Sequence, residues 1–162
     1  MKKTINVIII ALLLLVAHIV SAAPLQMNQA TVKGLSLSSS MNQVVQVMGN
    51  PYRTRHWKYT YDTMYEYPGV NFVFLTKYGS LNQPMTKIIL DAPQASLDNG
   101  LKVGVTSDAV MDKFGTDYSF NPVNDEMVYQ VIIDPTTYTL GFVRFEFDGK
   151  VVKRIFVERS KE

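Results

Sequence analysis

Apolar residues recur along this chain at two periods, and the switch between them marks out its elements. Met41, Val44, Val45 and Met48 fall at i, i+3, i+4 and i+7, one face of a short helix. Ser39 or Ser40 offers a hydroxyl to the unpaired amides of its first turn; Gly49 can take a left-handed conformation past its end, and Pro51 keeps it from continuing. Across 53–67 the period becomes two. Trp57, Tyr59 and Tyr61, then Tyr65 and Tyr67, alternate with polar residues, which predicts a strand whose aromatics share one face as far as Tyr61, with a turn or bulge at Asp62-Thr63. Pro68-Gly69 is a turn, Val70–Leu75 and 85–91 are further strands, and 78–84 is a loop between them.

The same order of signals then returns. Residues 100–118 align with residues 34–52 without a gap, pairing Gly34 with Gly100, Leu35 with Leu101, Val44 with Val110, Gly49 with Gly115 and Tyr52 with Tyr118. Thr106 or Ser107 caps the second helix, Asp108 sits near its positive end, and Gly115 stops it. A loop through Asn121-Pro122 leads to strands at 127–133, 140–147 and 151–158, the last two joined at Asp148-Gly149, the strongest hairpin signal in the chain. The final strands of the copies also correspond, Lys87-Ile88-Ile89-Leu90-Asp91 with Arg154-Ile155-Phe156-Val157-Glu158. A helix of about nine residues is not stable alone in water, so each must lay its apolar stripe on a sheet. The expected architecture is α+β: two tandem repeats, each one helix plus three antiparallel strands, which are too small to stand alone and so share a sheet or pack edge to edge, with the helices on one face of the sheet and the other face open. The repeats span 34–91 and 100–158, joined by a connector at 92–99, after a flexible lead at 23–33 and before a tail at 159–162.

Residues 1–22 are read as a signal peptide. Lys2 and Lys3 precede an apolar run, and Val20-Ser21-Ala22 or Ser21-Ala22-Ala23 offers a cleavage site. The alternative is an uncleaved membrane anchor. Cleavage places the chain outside the cytoplasm, secreted or periplasmic, and changes its charge: 16 basic residues less Lys2 and Lys3 leave 14, equal to the 14 acidic ones. A balance near zero gives no electrostatic footprint for nucleic acid. With no cysteine, the fold has no disulfide and rests on its own core.

Catalytic chemistry has few candidates. His56 is the only histidine after the signal, with no nucleophile motif beside it. One histidine and no cysteine argue against zinc, and no glycine-rich phosphate loop is present. The carboxylates Asp125-Glu126, Asp62 with Glu66, and Glu146 with Asp148 could pair, but they lie in turns or alternate with apolar positions, as solvated strand charges do. The unusual feature is Arg53, Arg55, Trp57, Tyr59, Tyr61, Tyr65 and Tyr67, residue types enriched at binding hot spots. They form a candidate partner-binding surface or a platform for sugar rings; the competing account is that they cover the core.

The helix signals Gly34, Ser40, Val44 and Gly49-Asn50-Pro51, then Gly100, Thr106, Val110 and Gly115, resemble those of the β-lactamase-inhibitor-protein-like (BLIP-like) superfold. That group includes SmpA/OmlA-type envelope proteins and secreted Gram-positive relatives. The resemblance implies a repeat whose exposed sheet face binds another protein. Asp117 stands where the first copy has Pro51, and the cysteines those families use are absent, so no binding residue is carried over. The expectation is an exported, non-enzymatic protein of the bacterial cell envelope that binds a protein partner without cofactor or metal. A cell-wall or glycan-binding module is the alternative, and a hydrolase with a carboxylate site the third reading.

Overall fold

The computed structural model describes residues 25–76, 85–134, 136 and 138–160. The expected signal peptide and the loop at 78–84 lie outside the described residues. The chain runs β1 (Leu25–Gln26), a 3-10 turn (Met27–Ala30), α1 (Met41–Met48), β2 (Arg53–Trp57), β3 (Asp62–Tyr67), β4 (Val70–Leu75), β5 (Met85–Leu90), α2 (Ser107–Phe114), β6 (Ser119–Asn121), β7 (Glu126–Asp134), β8 (Thr139–Asp148) and β9 (Val151–Arg159).

The helices begin and end by the expected chemistry. Ser40 caps α1 through a reciprocal pair: Gln43 N donates to Ser40 Oγ at 3.3 Å and Ser40 N to Gln43 Oε1 at 2.8 Å. Thr106 caps α2, accepting from Ala109 N. Gly49 and Gly115 close them, but with φ 79, ψ −169 and φ 83, ψ −174. That is an extended mirror-image conformation reserved for glycine, not the left-handed helical one expected.

The sheet departs from the expected architecture. All strands join one sheet in the order β1-β7-β8-β9-β5-β4-β3-β2, with β6 also on β7. Among the described residues, only the β1–β7 pairing is parallel. The expected pair of helix-plus-three-strand repeats is therefore overturned: four strands, not three, follow each helix, and β5 pairs directly with β9, Lys87 opposite Glu158 and Ile89 opposite Phe156, so that among the described residues two eight-residue helices accompany one mostly antiparallel sheet. The physical reason is burial, since three strands and one short helix cover too little apolar surface to stand alone. The strand count also differs because 53–67 is two strands, not one. The chain turns at residues 58–61, before the expected Asp62-Thr63, and Tyr61 takes φ 57 there.

Register assigns the two faces. Tyr67, Phe72, Phe74, Ile88, Leu90, Tyr129, Val143, Phe145, Ile155 and Val157 are buried on one face with Val44 of α1 and Val110 and Phe114 of α2. Tyr129 gathers Phe114 at 5.2 Å, Tyr118 at 5.7 Å and Phe145 at 5.9 Å between ring centres. Each large side chain so buried is worth about 1.5–3 kcal/mol. The expected flexible lead also differs where it is described: β1 pairs with Val131 and Ile132, and Ala30 and Val32 are in the core. Asp98 of the connector clasps it, accepting from Thr31 Oγ1 at 2.6 Å, Lys33 N at 2.7 Å and Gly34 N at 2.8 Å. Burial pushes the Asp98 carboxyl up, but these three donors outweigh it and hold its pKa below the ordinary value.

Candidate functional site

Alternation along each strand puts a second set of residues on the face away from the helices. Arg53, Arg55 and Trp57 of β2 stand opposite Glu66, Met64 and Asp62 of β3. The same face continues through Val73, Lys87, Ile89, Phe156 and Glu158 to Arg144, Glu146 and Glu126.

The seven residues singled out by their pattern do not stay together. Arg53, Arg55 and Trp57 share β2 and are exposed; Tyr59 and Tyr61 sit on the following turn, Tyr59 with 97% of its surface open. Tyr65 faces the other side, half-buried and edge-on to Phe74 at 5.6 Å. Tyr67 is a core residue, 4% exposed, and its hydroxyl donates to Gly49 O at 2.8 Å. The aromatic stripe is thus split by the turn at 58–61, and Tyr65 and Tyr67 leave the proposed surface because each inward position of β3 fills the core. His56 is held on that inner side, its Nδ1 2.9 Å from Thr63 Oγ1.

The open face carries two hollows. One, about 760 Å³, has Met64, Val73 and Ile89 for an apolar lining with Trp57, Asp62 and Glu158 around them. The other, about 550 Å³, is polar and lined by Asn124, Glu126, Arg144, Glu146 and Arg154. Phe156 lines the second hollow, and its ring centre is 4.5 Å from the Arg144 guanidinium, 5.4 Å from that of Arg154 and 5.9 Å from Lys87 Nζ. These cations also pair with carboxylates. Arg144 reaches Glu126 at 2.5 Å and Glu158 at 2.7 Å, Lys87 reaches Glu158 at 2.8 Å, and Arg154 reaches Glu146 at 2.6 Å. Arg55 pairs with Glu66, which is nearly buried.

The electrostatics limit what this face can do. The hydrogen bond from Arg154 holds the Glu146 carboxyl below its ordinary value. At Glu158 burial acts the other way, yet the bonds from Lys87 and Arg144 win and lower it too. Carboxylates kept ionised by close cations are poor proton donors near neutral pH. Among the described residues, no cluster of three or more His, Asp or Glu could hold a metal ion.

The polar half of the face was missed in the sequence. Arg144, Glu146, Arg154, Phe156 and Glu158 alternate with apolar residues, the period-two signal of a two-faced strand. Their grouping, however, depends on the β8–β9 register, which shifts between Glu146 and Phe147. That bulge sets Glu146 opposite Arg154, where counting from the hairpin would set it opposite Lys153.

No protein-family model matches the chain, and no curated protein matches it either. Two solved structures align with it. An extracellular protein containing an SCP domain from Bacillus anthracis str. Ames aligns with a TM-score of 0.50 at 10% identity over 76% of this chain. The chain spans 44% of that protein's length. A DUF4309 family protein, YjgB, from Bacillus subtilis subsp. subtilis str. 168 aligns with a TM-score of 0.41 at 16% identity, covering 79% of this chain and 84% of its own. Among the described residues, no helix is long and apolar enough to cross a membrane.

Proposed function

We propose that this is an exported, non-enzymatic binding protein of the cell envelope that engages a protein partner through the open face of its sheet. The observation that carries the reading is the apolar hollow over Met64, Val73 and Ile89 with Trp57, 42% exposed, at its wall. A hollow of this kind accepts one apolar anchor side chain, while Arg53 and Tyr59 beside it supply a rim of the residue types common at hot spots. The charged side chains at the polar end of the face, Lys87, Glu126, Arg144, Glu146, Arg154 and Glu158, are committed to each other, which suits a preorganised surface better than proton transfer. Export is supported by the N-terminal signal pattern, and the extracellular setting of the SCP-containing protein agrees with it.

The test is a crosslinking pull-down from the native envelope with the wild-type protein and Trp57→Ala. A specific protein captured by the first and lost with the second is the expected result. Retention on purified wall material with no protein present would replace this reading by the glycan-binding one. Capture indifferent to Trp57 would remove the hollow from the site.

A further inference from the structure

The two edges of the sheet are not alike. On the far side, β7 is covered by two short strands, β6 over Glu126, Met127 and Val128 and β1 over Val131 and Ile132. At the near side, among the described residues, the sheet ends on β2, five residues long, and all five side chains are exposed. The Pro68-Gly69 turn fixes which backbone groups of β2 are free. Tyr67 and Val70 are partners across a two-residue turn, which makes them a hydrogen-bonded pair, and the alternation of an antiparallel ladder then turns Glu66, Met64 and Asp62 toward β2. Glu66 O accepts from Tyr52 N at 3.1 Å, in agreement. On β2, Arg53, Arg55 and Trp57 therefore bond inward, and the N–H and C=O groups of Thr54 and His56 point outward.

The side chains around these groups decide what can pair with them. Arg53, Arg55 and Lys58 give the edge a positive charge, and among the described residues no ion pair engages Arg53 or Lys58. A second copy of this chain is disfavoured. Antiparallel self-pairing centred on Arg55 sets Arg55 against Arg55, and pairing centred on Thr54 sets Arg53 against Arg55, like charges directly opposite. The same charges favour an acidic strand, whose side chains would stand roughly 5 Å away on the face shared with Arg53 and Arg55.

We infer that β2 is a strand-addition site for an extended acidic segment of the partner, held by the outward backbone groups of Thr54 and His56 and by Arg53. The inference rests on the proposed protein-binding function and adds the mode of binding and the chemistry of the segment. The probe is a labelled peptide alternating glutamate with valine, compared with one alternating lysine with valine, with binding followed by fluorescence anisotropy. The glutamate peptide binds the wild-type protein, weakens as salt rises, and loses about tenfold or more in affinity to Thr54→Pro. That substitution deletes an outward N–H and leaves the β2–β3 ladder in place. Arg53→Glu reverses the preference toward the lysine peptide and keeps the test decisive should the proline variant fail to fold. Equal binding to wild type and a folded Thr54→Pro, no preference between the peptides, or no binding of the glutamate peptide each overturns the inference. In the envelope pull-down, loss of capture with Trp57→Ala but not with Thr54→Pro would leave the open-face function standing and remove strand addition. Capture unchanged in both would remove the two together.

Discussion

The hydroxyl of Tyr129 donates a 2.8 Å hydrogen bond to the carbonyl oxygen of Gly115, the residue that ends α2. Tyr67 does the same for Gly49 at the end of α1, also at 2.8 Å. Each bond ties a helix terminus to a strand one in from an edge of the sheet, β7 for α2 and β3 for α1, and satisfies a carbonyl that the helix leaves unpaired.

Removing either hydroxyl should therefore loosen one helix. Tyr129→Phe and Tyr67→Phe each cost about 1 kcal/mol, read from thermal or urea melts. Burial raises both phenols to about 12, above the ordinary value of about 10. The folded chain thus keeps protons that the unfolded chain has released between those values. The contribution is complete below about pH 10 and is lost as pH rises through about 12. Melts across that window fall steeply for the wild type and less steeply for each variant; equal slopes would place the alkaline sensitivity elsewhere.

The glycines at the helix ends give a prediction about backbone alone. A Cβ at Gly49 or Gly115 meets nothing within 4 Å, so substitution costs no packing. Gly49→Val and Gly115→Val each destabilise by roughly 1–3 kcal/mol through strain at positive φ. Gly141 is the opposite case: an added Cβ would lie 2.6 Å from Glu158 O, and Gly141→Ala costs about 1–3 kcal/mol by forcing β8 and β9 apart. Unchanged midpoints in the valine variants would mean that the helix ends relax freely.

Arg144 neutralises Glu126, whose side chain is 4% exposed. Arg144→Met leaves that carboxylate buried with only Asn121 and Asn124 as donors, at 3.3 and 3.4 Å, and costs about 3 kcal/mol at neutral pH. In the wild type, Asp98, Glu146 and Glu158 all have lowered carboxyl values. Their contribution is present above the unfolded carboxylate range of about 4 and is lost as pH falls through the folded values. The wild-type midpoint is accordingly flat near neutrality and drops in acid.

The aromatic residues should divide by face. Trp57→Ala changes the melt by about 1 kcal/mol or less and reduces partner capture by roughly 2 kcal/mol or more. Tyr67→Ala, in the core, costs about 3–5 kcal/mol. A collapsed melt for Trp57→Ala would make it a structural residue.

The local elements were legible in the chain before it folded. Both helices and their caps follow from hydroxyl, apolar spacing and glycine in order, and the 151–158 strand and its hairpin follow from period two around Asp148-Gly149. These signals lie within a few residues of each other, and the forces they report act over the same range. The sequence also marked Arg53, Arg55 and Trp57 as unusual. Tertiary structure decided what those elements became. The turn at 58–61 follows no glycine or proline, so the alternation ran on through it and joined two strands into one aromatic stripe. The pairing of β5 with β9 selected one continuous sheet where a shared sheet and edge-to-edge packing were both open. It depends on apolar surface that neither half can bury alone, a sum over the whole chain that no local window contains. The bulge after Glu146 then set which cation faces which carboxylate, because a one-residue shift in register changes every partner beyond it while leaving the pattern of each strand the same.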